Sequence, residues 1–207
     1  MNSILLLACS PHGTASQGSR LAMEYATRLD PQAQLVIRDL ANEPLPSIDA
    51  DYADAIVTSA PDSSPHFNIS ENLIAELEHC DYLLIATPMH NFTVPAALKL
   101  WIDHVVRIHR SFRATAQGKQ GLLWDRPTFV FVSAGGIFQG EMSMQPDFLT
   151  PYLRHVLSTI GIHSVEFIAM QGLAHGDDAR HAASSQARQQ MNQYATPLMS
   201  VTGESHE

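Results

Sequence analysis

Strand-like apolar runs that alternate with helical stretches leave this chain few folds. Ile4-Leu-Leu-Leu-Ala8, Tyr82-Leu-Leu-Ile-Ala86 and Thr128-Phe-Val-Phe-Val132 show no polar alternation, and Ser164-Val-Glu-Phe-Ile-Ala169 shows little. A run of that kind is covered on both faces, as in a buried parallel sheet. Gln34-Leu-Val-Ile-Arg-Asp39 adds a fifth, more polar strand. Helical patterns lie between. Residues 20–29 place Leu21, Tyr25 and Leu29 on one stripe, and residues 70–79 open on Ser70, a fitting N-cap. Residues 96–106 keep helical spacing, residues 146–160 align Phe148, Tyr152, Val156, Leu157 and Ile160 ahead of Gly161, and 177–198 form a polar last helix. Strand and helix in strict turn, joined by right-handed crossovers, give an α/β doubly wound sheet. A five-stranded parallel sheet suits the flavodoxin-like order 2-1-3-4-5.

The chain has 207 residues, which we read as a single domain over 1–199 with a frayed tail at 200–207. Residues 40–68, broken by Pro44, Pro46, Pro61 and Pro65, read as an excursion over the sheet edge; a short helix at 49–58 would align Tyr52, Ile56 and Ala53. Residues 107–123 read as a polar loop. A net charge of −9 argues against the basic stripe of a nucleic-acid binder. No apolar run approaches the roughly 20 residues of a membrane span. The first run lacks the length and basic flank of a secretory signal. Cys9 and Cys80 both border strands, where packed, reduced thiols are expected. The expectation is a cytoplasmic protein with neither nucleic acid nor membrane as partner.

In the order 2-1-3-4-5 the switch point lies between strands one and three, and ligands bind there, outside the carboxyl ends. Three unusual loops meet at that place. Cys9-Ser-Pro-His-Gly-Thr-Ala-Ser-Gln-Gly-Ser19 offers the hydroxyls of Ser10, Thr14, Ser16 and Ser19, main-chain approach at Gly13 and Gly18, and a helix N-terminus. Gly13 and Gly18 have P-loop separation, but Ser19-Arg20 stands where Lys-Ser/Thr would, so a triphosphate is disfavoured. No Gly-x-Gly-x-x-Gly dinucleotide fingerprint occurs. A monophosphate fits, and so, equally, does an ordinary Ser-rich capping loop.

The second loop, Ala86-Thr-Pro-Met-His-Asn-Phe-Thr-Val-Pro95, is a bend between strand and helix whose Pro95 suits the first helical turn. Asn91 carries a donor and an acceptor, matching an adjacent N–H and C=O on a flat ring. Neighbouring N–H groups and the helix start favour a ring that becomes anionic on reduction. The same residues also read as a plain proline-rich turn that buries Met89 and Phe92. The third loop is Ser133-Ala-Gly-Gly136.

Pro88-Met-His-Asn-Phe-x-x-Pro-x-x-Leu-Lys99, with Asp103 and Arg107, resembles the FMN-dependent NADH-azoreductase family, relatives of the NAD(P)H:quinone oxidoreductases with a flavodoxin-like fold. Ser111-Phe-Arg113, Gly121-Leu-Leu123, the Ser-x-Gly-Gly at 133–136 and Thr150-Pro-Tyr-Leu153 extend the likeness across residues 4–175. The resemblance implies FMN as cofactor, with Ser10, Ser16, Gln17 and Gly18 holding its phosphate. Pro88, Met89, His90, Asn91 and Phe92 would line the isoalloxazine, and Ser133, Gly135 and Gly136 would contact it. It further implies NADH or NADPH as donor, quinones and aromatic azo compounds as acceptors, and ping-pong hydride transfer. Members are homodimers with active sites at the interface, which makes Phe112, beside His90, a candidate for the substrate side. Three residues depart from the family pattern. His90 replaces a Tyr, Ala134 an Arg and Gly18 a frequent Ser, each bearing on acceptor and nicotinamide preference.

No metal site is expected. His104 and His109 lie five apart, about 140° around a helix at roughly 3.6 residues per turn. Asp103 and Arg107 read as an i,i+4 ion pair, His175-Gly-Asp-Asp178 as the cap of the last helix, and Trp101 and Trp124 as core or interface residues. An electron carrier of the same fold, serving a protein partner without substrate turnover, is the alternative function.

Overall fold

The computed structural model describes residues 1–194. Strands β1 (Ser3–Ala8), β2 (Gln34–Asp39), β3 (Tyr82–Pro88), β6 (Thr128–Ser133) and β7 (Val165–Met170) pair in the order β2-β1-β3-β6-β7, every pair parallel. Counted within the sheet alone, that is the expected 2-1-3-4-5. Successive side chains of a strand face opposite ways, and β1 shows it: Leu5 and Leu7 enter one core, Ile4 and Leu6 the other. The first core lies under α3 (Asn68–Glu78), α4 (Ala96–Val105) and α5 (Leu149–Ile160). The second lies under α1 (Gln17–Leu29) and α6 (Asp177–Tyr194). Each fully buried Leu or Ile is worth about 1.5–3 kcal/mol, so the unbroken strands supply the cohesion that holds the loops above them.

The excursion carries α2 (Ala50–Val57), capped by Asp49, with Ala55 rather than Ala53 joining Tyr52 in the buried face. Arg107 fastens it. Its guanidinium is 1% exposed, lies 4.4 Å from the Phe67 ring centre, and pairs with Asp62 at 2.8 Å and with Glu71.

Several local expectations are corrected. Asp103 pairs with Lys99, one turn back, because Arg107 has turned inward to the excursion. Ser70 is no cap: α3 starts at Asn68, and the buried Ser70 hydroxyl donates to His104 O at 2.6 Å. The stretch 107–123 is not simply a loop but carries an antiparallel hairpin, β4 (Phe112–Thr115) with β5 (Gly118–Gly121). Phe148 precedes α5 and is 59% exposed, off the helix's buried face. Of the two tryptophans expected in the core or at an interface, Trp101 is in the core, and Trp124, 80% exposed, keeps only the interface reading. Cys9 and Cys80 are both buried free thiols. The last four residues expected of the final helix, and the tail, lie outside the described residues.

Candidate functional site

β1, β3 and β6 are neighbours, so the segments leaving their carboxyl ends share one crevice. After β1, the Ser10 hydroxyl accepts the His12 N–H at 3.2 Å and keeps its own proton for another acceptor. Gly13 follows at φ 52 in a short 3-10 turn, where a Cβ would lie 2.4 Å from the Asp39 carboxylate. Only glycine fits there. Asp39 takes the N–H groups of Thr14 at 3.2 Å and Ala41 at 3.0 Å, tying the loop to the end of β2. Burial pushes the thiol of Cys9 well up, and the charge of Asp39 adds to it, so this cysteine stays a neutral packing residue.

Ser16 caps α1. Its Oγ accepts the Ser19 N–H at 3.1 Å and donates to Ser19 Oγ at 2.8 Å, and Ser19 in turn donates to Gly13 O at 3.0 Å. Both hydroxyl protons are therefore spent inside the loop. What Ser16 contributes is position: it starts the helix at Gln17, three residues before the periodicity predicts. Gln17 and Gly18 then present main-chain N–H groups that have no intrahelical partner, at the positive end of the helix. The Gln17 side chain bonds Ser184 on α6, leaving its backbone as the useful donor. A Cβ on Gly18 would lie 3.0 Å from Ser133 Oγ and 3.9 Å from Ala86 Cβ. All three loops come together around that glycine.

β3 ends at Pro88, and the Met89 N–H donates to Ser133 O at 2.8 Å, joining the second loop to the third. His90 and Thr93 exchange two N–H···O bonds, of 2.9 and 3.0 Å, across Asn91 at φ 47 and Phe92 at φ 73. This is a two-residue turn with both central φ positive, type I′. Its central N–H groups take no part in the turn's own bonds. Asn91 is exposed with its carboxamide unpaired among the described residues, and His90 and Phe92 are exposed beside it. A phenylalanine in the left-handed region costs about 1–2 kcal/mol, strain of the kind that collects at functional sites.

The third loop is held from beneath. Ala134 donates to Met170 O, and the N–H groups of Gly172, Leu173 and Ala174 return to the carbonyls of Gly136, Ala134 and Gly135. Sequence reasoning passed over what comes next. Residues 137–148 form a strap: Phe138 and Gln139 donate to Gln171 Oε1, each at 3.0 Å, and the Phe148 N–H donates to Phe92 O at 3.1 Å. Gln145 Nε2 donates to Met89 Sδ at 3.2 Å, and its Oε1 lies 2.4 Å from where a Gly136 Cβ would be. The only signal in the sequence was the length of the connection between β6 and α5.

Ser10, Ser16, Gln17, Gly18, Pro88, Met89, His90, Asn91, Phe92, Ser133, Gly135 and Gly136 thus belong to the loops of one edge. Phe112 does not join them within this chain. It is 7% exposed, covered by Lys119 at 4.9 Å, beyond the far end of α4. The donor set fits FMN: a helix start with spare N–H groups and the Ser10 hydroxyl suit a phosphate dianion, and the strained turn with Asn91 suits the edge of a heterocycle. Among the described residues no cluster of three His, Cys, Asp or Glu is placed to hold a metal. No helix described is long and apolar enough to cross a membrane.

A family profile described as a flavodoxin-like fold matches residues 2–195. Over 191 residues the chain is 54% identical to "FMN-dependent NADH:quinone oxidoreductase 4" of Pseudomonas fluorescens, covering 91% of this chain and 93% of the relative. It is 54% identical over 192 residues to "FMN-dependent NADH:quinone oxidoreductase 5" of Burkholderia lata, covering 91% and 94%. Among solved structures, an azoreductase from Bacillus anthracis superposes with a TM-score of 0.80 at 16% identity, over 94% of this chain and 99% of that one. An FMN-dependent NADH-azoreductase from Bacillus anthracis, solved in complex with FMN, gives 0.78 at 19%, over 95% and 100%. At those identities the structural likeness is one of fold.

Proposed function

The chain belongs to the family of the flavodoxin-like fold, and from that premise we propose that it is an FMN-dependent NAD(P)H oxidoreductase that reduces quinones and aromatic azo compounds. The observation that carries the reading is the gathering of spare donors at one sheet edge: the N–H groups of Gln17 and Gly18, the Ser10 hydroxyl, and the Asn91–Phe92 turn. The relatives at 54% identity bear the FMN-dependent NADH:quinone part of that activity in their names.

Ser10, Gln17 and Gly18 would hold the phosphate, with Ser16 setting the helix start that aims the two N–H groups. Met89, His90, Asn91 and Phe92, below Pro88, would line the ring, and Ser133, Gly135 and Gly136 would meet it from the third loop. FMN held there would supply the hydride chemistry between NADH or NADPH and the acceptor, in ping-pong order. The protein's part is placement: the start of α4 after Pro95 puts a partial positive charge beside the turn, favouring a ring that gains negative charge.

The proposal extends to a cytoplasmic homodimer with the crevice at the interface, where Phe112 of a second copy would have a substrate role its own protomer does not give it. The exposed Phe92, Met142, Met144 and Phe148 on and near the strap support this, since apolar groups gathered at a surface invite cover. Light scattering showing a single 22.7 kDa chain would refute the dimer. For the activity itself, FMN is titrated into purified protein and NADH oxidation followed with menadione or methyl red. Stoichiometric uptake and turnover with parallel initial-rate lines are expected. A protein that stays colourless sinks the reading, and one that binds FMN without turnover is instead an electron carrier.

A further inference from the structure

The strap supplies a polar group whose present partners are weak. The carboxamide of Gln145 spans the crevice between the second and third loops. Its Nε2 donates at 3.2 Å to the thioether of Met89, a poor acceptor. Its Oε1 lies 2.4 Å from where a Gly136 Cβ would stand, and receives no N–H from the described residues. The residue is half-buried, so the amide is partly withdrawn from water without gaining a strong partner in exchange. An amide in that condition loses little by trading sulfur for oxygen, and gains a stronger hydrogen bond if it does.

The position says which oxygen. The Asn91–Phe92 turn and the N–H groups of Gln17 and Gly18 already provide the donors a flavin's edges and phosphate require. Gln145 comes from a different segment, one tied to Gln171 at its start and to Phe92 at its end. We propose, resting on the functional reading above, that Gln145 is a specificity-determining residue of the acceptor site, whose carboxamide N–H donates to a carbonyl oxygen of the quinone. Acceptors without such an oxygen gain nothing from it, so the residue tilts the enzyme toward quinones. The bare α-carbon of Gly136 lets the amide lie this close without having to shift.

Two variants of the FMN-loaded protein test the idea. Gln145→Leu removes the amide, and Gln145→Glu keeps size and acceptor while removing the N–H donor. The dissociation constant of 1,4-naphthoquinone for the oxidised holoprotein is read from the perturbation of the flavin absorbance. Reduction by NADH under anaerobic conditions and the affinity for FMN are measured separately. Both variants are expected to bind the quinone about tenfold more weakly, with kcat/KM for it falling alike through KM. FMN affinity, the NADH half-reaction and turnover with ferricyanide should stay within twofold of the parent protein. Unchanged quinone binding in either variant overturns the proposal, as does a loss of FMN affinity matching the loss of quinone affinity, because the amide would then serve the cofactor. A parent protein that takes up no FMN refutes the functional reading itself, and the inference falls with it.

Discussion

Asn91 does two things that substitution can separate. Its backbone sits at φ 47 in the type I′ turn, and its carboxamide stands free beside the crevice. Asn91→Gly keeps the turn, because glycine enters the left-handed region without penalty, but removes the amide. Asn91→Ala removes the amide and adds strain of about 1 kcal/mol. If the amide reads the ring edge, both variants weaken FMN by about tenfold, and only the alanine variant also unfolds at lower urea. Equal FMN affinity in all three proteins would show that the turn alone serves the site. This residue was legible in the sequence, because a carboxamide between a strand and a helix start has few uses. For the loop of Ser16 the sequence left phosphate ligand and cap equally open; the destination of its proton depends on Ser19 and Gly13 folding back onto it, and makes it a cap. Gln145 carried no signal at all; its meaning comes from contact with Met89, 56 positions away in the chain.

The elements divide in the same way. The sheet strands could be read nearly to the residue, because burial on both faces keeps β1, β3 and β6 apolar except at or next to their ends. The hairpin could not. Phe112-Arg-Ala-Thr115 and Gly118-Lys-Gln-Gly121 are short and almost wholly exposed, so no hydrophobic alternation marks them. Backbone contact fixes the hairpin instead. Gly121 lies against the turn that ends α5, where a Cβ would stand 2.1 Å from Gly161 N, and the Leu123 N–H donates to Ile160 O at 3.0 Å. Main chain cannot yield as a side chain does. Gly121→Ala should therefore cost about 3 kcal/mol, at the upper end for overpacking, by denaturant titration. Gly135→Ala, whose Cβ would make an ordinary 3.5 Å contact with Ala174, is the comparison and should stay within about 0.5 kcal/mol. Equal stability of the two variants would mean that the hairpin is not seated on α5 as described.

At the scale of the whole molecule, the site is built from segments far apart in the chain, and none of them can hold a ligand alone. Residues 10–18, 88–92 and 133–136 are brought together only when the sheet forms, so the proposed FMN site exists in the folded chain and not in the unfolded one. Linkage then makes binding a stability: FMN at a hundred times its dissociation constant adds about 2.7 kcal/mol. For a chain of this size that corresponds to a melting temperature about 5–11 °C higher. The size of the shift also reports on the first loop. Riboflavin presents the same ring to the Asn91 turn but has no phosphate to offer the N–H groups of Gln17 and Gly18. At equal concentration it should shift the melting temperature much less than FMN, while the two converge at high salt, where phosphate attraction at an exposed helix start is screened. Equal shifts at low salt would mean that residues 10–18 cap a helix and hold no anion, the alternative their composition allowed from the beginning.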